Sequence, residues 1–200
     1  MEIKKLVLGP LQTNCYIVIN GDNCIIIDPA YDGEKITNFL KQNFLNLKAI
    51  LLTHGHFDHV GACKYFQNQG IKIYASKIEA KLLKDFPKGF GISKNIIFNV
   101  DECLEDEQEI ELIGLNIKVI FSSGHTAGSC CYLIENNLFC GDTLFSGGAY
   151  GRCDLYSGDI CKIQESIKKL LKLDESIKLF SGHGYESTIK AEREYYRDFR

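Results

Sequence analysis

The chain has no tryptophan, one methionine, three prolines and no long apolar run. Its apolar stretches, such as residues 49–52, are strand-sized and fall far short of the ~20 residues that a membrane helix needs. A membrane partner is therefore not expected. Low-complexity linkers and strong internal repeats are also missing, and the composition excludes a disordered chain. Lys and Arg number 23 against 26 Asp and Glu, with no basic stripe, so the electrostatic footprint of a nucleic-acid binder is lacking. Small-molecule partners fit better. The stretch before Pro10 is too short for a secretory signal. Nine cysteines, an odd number without a C-x-x-C pair, read as small core hydrophobes in a reducing cytoplasm, with Cys153 set apart by its loop-like neighbours.

What is present is enough for one domain over residues 1–200: 45% of the chain is hydrophobic, and a chain of this size buries roughly 70% of its unfolded surface. Strands are predicted at residues 3–8, 15–19 and 24–27, the last two joined across Asn20-Gly21-Asp22 as a hairpin. From Asp32, a candidate cap, the period becomes helical, with Ile36, Phe39, Leu40 and Phe44 on one face. A strand at 47–53, one helix over 58–68, a strand at 71–74 and a helix capped by Ser76 follow. Residues 101–109 hold six acids in nine positions and read as a solvated connection. Strands return at 109–113, 116–121, 130–134 and 138–140, then a helix over 158–173, a core strand at 177–180 and a terminal helix over 188–199. Strand groups interleaved with helices in both halves predict two packed sheets with helices outside, a four-layer α/β sandwich.

The chemistry concentrates in Thr53-His54-Gly55-His56-Phe57-Asp58-His59, which runs directly out of a strand. Residues i and i+2 of an extended segment face the same way, so His54 and His56 can converge on one ion. Asp58 and His59, at the turn into a helix, can address a second beside it. The two remaining histidines, His125 in Ser-Gly-His-Thr-Ala-Gly and His183 in Ser-Gly-His-Gly, also follow strands, as does Asp142 in Cys-Gly-Asp-Thr. Every histidine of the chain thus sits at a strand end, where α/β scaffolds gather ligands. Metal binding explains this set; unconnected polar turns do not.

These segments, in this order, resemble the metallo-β-lactamase-fold hydrolases, near the hydroxyacylglutathione hydrolase (glyoxalase II) group. The resemblance covers nearly the whole chain and rests on Asn14-Cys15-Tyr16, Ile27-Asp28-Pro29, the T-H-x-H-x-D-H stretch, Gly124-His125-Thr126, Gly141-Asp142-Thr143 and Gly182-His183-Gly184. It implies an αββα fold with the site in a cleft at one edge of the sheets. It also implies two divalent metal ions, zinc first, with iron or manganese as the other candidates. His54, His56 and His125 would bind one, Asp58, His59 and His183 the other, and Asp142 would bridge them. Neutral imidazoles suit borderline ions, and carboxylates offset the charge of two dications. The expected reaction is attack on a hydroxyacyl thioester such as S-lactoylglutathione by hydroxide bridging the ions, with Asp58 orienting it.

Gly151-Arg152-Cys153-Asp154 resembles the family's G-R-x-D segment, so Arg152 would either contact an anionic substrate or pair with Asp154 and pin the loop. Tyr150 and Tyr185 are candidates to line the cleft, and Asp28 to hold the ligand loop by hydrogen bonds. The longer glyoxalase II enzymes add a C-terminal helical region that binds glutathione, whereas this chain stops about seventeen residues after His183, so that clamp is expected to be absent. The main rival is a mononuclear-iron persulfide dioxygenase using His54, His125 and Asp142; a lactonase is a further alternative. Exported lactamases often have Cys where Asp142 stands, and diiron flavoproteins have Glu at the position of His56; both fit less well. The sequence sets no oligomeric state.

Overall fold

Cys15 to Ile19 is an unbroken apolar run, and the computed structural model, which describes residues 1–196, buries both faces of that stretch. The odd positions Cys15, Ile17 and Ile19 pack with Ile36, Leu40, Val60 and Phe66 under helices. The even positions Tyr16 and Val18 pack with Val119, Tyr132, Phe139 and Phe180 from a second sheet. The first sheet holds β1 (Glu2–Leu8), β2 (Thr13–Asn20), β3 (Asn23–Ile27), β4 (Asn46–Leu51), β5 (Lys72–Ser76) and β6 (Glu102–Leu104), in that spatial order. The second holds β7 (Glu109–Leu112), β8 (Leu115–Phe121), β9 (Cys130–Ile134), β10 (Asn137–Gly141), β11 (Lys178–Ser181) and β12 (Ser187–Thr188), ordered from β12 back to β7.

Helices α1 (Gly33–Gln42), α2 (Phe57–Val60), α3 (Cys63–Gln67) and α4 (Lys77–Asp85) lie in the chain segments between strands of the first sheet. On the outer face of the second sheet, Ile163, Ile167 and Leu170 of α5 (Ile160–Leu170) and Ile189 of α6 (Ile189–Tyr195) close a third apolar cluster with Ile120, Cys131 and Leu138. The expected four-layer αββα sandwich is therefore the observed fold. At ~25 cal/mol per Å² of apolar surface removed from water, these three clusters dominate the stabilisation. No helix among the described residues is long and apolar enough to cross a membrane.

Local expectations met tertiary contacts with mixed results. Asp32 and Ser76 do cap α1 and α4, through bonds from the amides of Lys35 (3.0 Å) and Glu79 (3.1 Å). The single helix over 58–68 is two short ones, because the Ala62 amide donates to the Ala30 carbonyl and Val60 bridges Ala30, which breaks the helix at Gly61. Phe44 does not share the buried face of α1: the helix ends at Gln42 and Phe44, at positive φ, is 86% exposed. Ile160, at helical spacing with the core-facing Ile163 and Ile167, is exposed at the start of α5. The acidic connection contains β6, whose Leu104 is buried between the sheets. The last part of the predicted terminal helix lies outside the described residues. Six cysteines are buried, Cys103 and Cys161 exposed, Cys153 half-buried, and none is in a disulfide.

Candidate metal centre

β3 and β4 run parallel, as do β8, β10 and β11, so the loops following them can gather at one edge of the sandwich. Asp28 follows β3, Thr53 to His59 follow β4, and His125, Asp142 and His183 follow β8, β10 and β11. Antiparallel β2 begins at the same edge. There the Asn14 amide donates to the carbonyls of Ser181 (2.9 Å) and Gly184 (3.2 Å), and the Tyr16 hydroxyl donates to Ser181 (2.7 Å). The Asn-Cys-Tyr segment therefore holds the turn that carries His183.

His54, His56 and His125 form the first group. His125 Nε2 lies 2.7 Å from His56 Nδ1 and 3.1 Å from His54 Nε2. The other ring nitrogens explain how they are oriented. His125 Nδ1 is 2.7 Å from the Arg152 carbonyl, which can only accept, so the proton sits on Nδ1 and Nε2 is a bare lone pair. The Thr53 hydroxyl donates to Asp28 (2.6 Å), so its contact with His54 Nδ1 (3.0 Å) places the His54 proton on Nδ1 and leaves its Nε2 bare as well. Bare lone pairs this close repel unless a cation lies between them, and tetrahedral ligands at ~2.0–2.1 Å from zinc are themselves only roughly 3.3 Å apart. His56 Nε2 and Asp142 Oδ1 are buried without a hydrogen-bond partner. The donor set fits a divalent ion.

Asp58, His59 and His183 form the second group. His59 Nδ1 faces Asp28 Oδ2 at 2.9 Å, and His183 Nδ1 faces the Leu11 carbonyl at 3.1 Å. Both Nε2 atoms therefore point inward, 3.4 and 3.3 Å from Asp58 Oδ2. Thr13 donates to that same oxygen at 2.8 Å. Asp142 stands between the groups, 3.4 Å from His59 Nε2, 3.5 Å from His183 Nε2 and 3.6 Å from His125 Nε2. A side chain at Gly182 would put its Cβ 2.2 Å from Asp142 Oδ1, so only glycine lets the His183 turn close against that carboxylate. Asp28 also lies near His54 and His59, but its oxygens are occupied by Thr53 and His59, which makes it an orienting group.

The two groups are electrostatically unlike. Burial, reinforced by neighbouring imidazoles, holds His54 well below the usual histidine range and pushes His56 down to about 3. Burial lowers His125 too. In the second group burial opposes charge, but the Asp142 and Asp28 carboxylates raise His59 well above its ordinary value, and bonds to Asp142 and Asp58 raise His183 to about 9. The same contacts overcome the burial of Asp58 and hold it down to about 2.

His56, Asp58, His125, Asp142 and His183 line a cavity of about 640 Å³ with apolar walls from Leu11, Phe57, Phe90, Phe145 and Leu155. Arg152 reaches the wall, but its guanidinium bonds twice to Asp154, at 2.8 and 2.9 Å, so the pairing alternative is the one observed. Tyr150 and Tyr185, expected at the cleft, are not among the lining residues: Tyr150 packs against the outer core of the second sheet and Tyr185 is 81% exposed. Sequence reasoning missed Lys88, which lines the cavity from a turn at Pro87–Phe90, and Thr13, which holds Asp58. It also missed Glu79, whose S-x-x-E spacing after Ser76 was the available signal.

The model of the metallo-beta-lactamase superfamily matches residues 8–183. A probable metallo-hydrolase of Bacillus subtilis, YqgX, is 35% identical over 97% of this chain and 95% of its own length. The hydroxyacylglutathione hydrolase GloC of Haemophilus influenzae is 36% identical, over 96% and 95%. Among solved structures, the B3 metallo-beta-lactamase BLEG-1 superposes with a TM-score of 0.87 at 35% identity, covering 96% of this chain and 97% of that one. TTHA1623, solved in a di-iron-bound form, gives a TM-score of 0.83 at 30% identity, over 95% and 96%.

Proposed function

The chain belongs to the metallo-beta-lactamase superfamily and is a metallo-hydrolase, and we propose that within it the protein is a thioesterase acting on hydroxyacyl thioesters such as S-lactoylglutathione. The observation that carries this reading is the cavity: five of the seven ligand candidates line it, together with a lysine and a largely apolar remainder. His54, His56 and His125 would hold one divalent ion, Asp58, His59 and His183 a second, with Asp142 between them. Such ions supply a Lewis acid for a carbonyl oxygen and water acidified to near neutrality.

The residues supply orientation. The Arg152 carbonyl, Thr53, Asp28 and the Leu11 carbonyl each take the outward proton of one imidazole, which commits the inner nitrogen to the site. Asp58, ionised and already accepting from Thr13, can accept a bond from a water and orient it but carries no proton to give. Phe57, Phe90, Phe145, Leu11 and Leu155 exclude solvent around an acyl chain. Arg152 is occupied by Asp154, and Lys88 forms no ion pair with another described residue, so Lys88 is the cation available to an anionic carrier.

The test is elemental analysis of protein purified without added metal or chelator, together with thiol release from S-lactoylglutathione. Two ions per chain and thioester turnover are expected. One iron per chain, oxygen uptake with glutathione persulfide and no thioester turnover would replace this reading with the dioxygenase. Turnover confined to lactones or β-lactams would keep the metallo-hydrolase and discard the thioester.

A further inference from the structure

His54 and His56 ride on a loop from the first sheet, His125 on a loop from the second, so something must set the spacing between two independently anchored segments. We propose that Glu79 is a positioning residue for the first ligand group, a carboxylate strap that locks the His54-Gly55-His56 turn to the His125 loop. The inference rests on the metal-binding reading of that group but not on the choice of substrate.

The geometry is specific. Glu79 opens α4, where the sequence Ser-Lys-Ile-Glu would ordinarily send the glutamate back to the amide of the cap residue. Its side chain turns to the loops instead. Oε1 accepts from the Gly55 amide at 2.7 Å, and the Thr126 hydroxyl donates into both oxygens, at 3.1 and 2.9 Å. The Gly128 backbone lies close against the same carboxylate. Gly55 lies between His54 and His56, and Thr126 follows His125 directly. Ser76, one turn earlier, completes the clasp by donating to the Gly128 carbonyl at 2.6 Å.

Space around the carboxylate is closed. A Cβ at Gly128 would fall 2.4 Å from Glu79 Oε2 and 2.3 Å from the Glu79 amide nitrogen, so the His125 loop reaches the strap only because it carries no side chain there. Glu79 is wholly buried and forms no ion pair with a described cation. Leaving a carboxylate in such a place is costly unless donors satisfy it, and the Gly55 amide and the Thr126 hydroxyl, one from each ligand loop, do so. Burial raises its pKa to about 7 even with those donors. A purely structural requirement in the core would be met more cheaply by an apolar side chain.

The test is Glu79→Gln. The replacement keeps the shape but turns an amide NH2 toward donors, so the Gly55 amide or the Thr126 hydroxyl loses an acceptor. All five histidines are candidate ligands, so the ring-nitrogen NMR spectrum of the full chain, titrated with zinc from the metal-free protein, reads each group separately. Zinc affinity reported by His54, His56 and His125 should fall about 10- to 100-fold, while His59 and His183 saturate as in the unmodified protein. Thr126→Val, which removes one donor to the carboxylate together with the acceptor of the Ser129 hydroxyl, should give a smaller loss at the same three rings and guards against misfolding of the first variant. Equal weakening of both groups, or of neither, overturns the strap. An unmodified protein whose rings do not respond to zinc overturns the metal reading and the strap together, whereas failure to hydrolyse thioesters touches neither.

Discussion

The two halves of the site use the same residue type in opposite states. His54, His56 and His125 are buried among one another and stay neutral, so a metal entering there displaces no proton from them. His59 and His183 face Asp28, Asp58 and Asp142 and hold a proton when no metal is present. The difference lies in the neighbours: desolvation acts on all five rings, and only where carboxylates outweigh it does the charged form win. The first group is prepared for a cation before one arrives; the second exchanges protons for one.

The largest expected effect erases the distinction. Asp142→Ala removes the carboxylate shared by both groups, and hydrolysis should fall by about three orders of magnitude, with metal content dropping in elemental analysis. Full activity in that variant would remove Asp142 from the site. Asp28→Asn acts directly on the second group, through the His59 ring, and on the first only through Thr53. Its amide would confront the Thr53 amide, the Thr53 hydroxyl and the His59 ring, and affinity at the second group should weaken about 10- to 100-fold by chelator competition.

A pH series sharpens the contrast. His183, raised to about 9, is protonated at neutral pH in the metal-free protein, so rising pH removes the competing proton and second-group affinity climbs about tenfold per pH unit for each proton displaced, the His183 part of the gain levelling off above about 9. First-group affinity should be flat from about pH 6 upward, since His56 is neutral well below that range. Calorimetric titration in buffers of different ionisation enthalpy counts the protons directly, and equal release from both groups would contradict the asymmetry. The smallest effects belong to the rim. Lys88→Glu should raise KM for an anionic thioester about fivefold and leave a neutral one unchanged, whereas Arg152→Ala, whose guanidinium is already paired and exposed, should change KM by less than about twofold.

Much of this was legible from local pattern. The Thr53–His59 stretch and the Gly-His and Gly-Asp turns carry their chemistry in adjacent residues, and the apolar run through residues 15–19 reads as a strand, although its burial on both faces came only with the structure. Other features were not legible, because their cause lies elsewhere in the chain. Nothing near residue 61 announces that the Ala30 carbonyl will interrupt a helix there. Glu79 reads locally as half of a capping box and becomes a strap only because two loops from different sheets each deliver a donor to it. Tyr150 and Tyr185 lie near the ligands in sequence yet are not among the residues lining the cavity.

The sequence by itself determined the kinds of donor available and, through the family resemblance that its contiguous motifs carry, the four-layer fold and the family. Only the tertiary structure decided which nitrogen of each histidine faces inward, which histidines are charged, and which of two rim cations is free. Those properties depend on the partner at the far end of a hydrogen bond or ion pair. For four of the five rings that partner is a carbonyl, hydroxyl or carboxylate whose position the folded chain alone supplies.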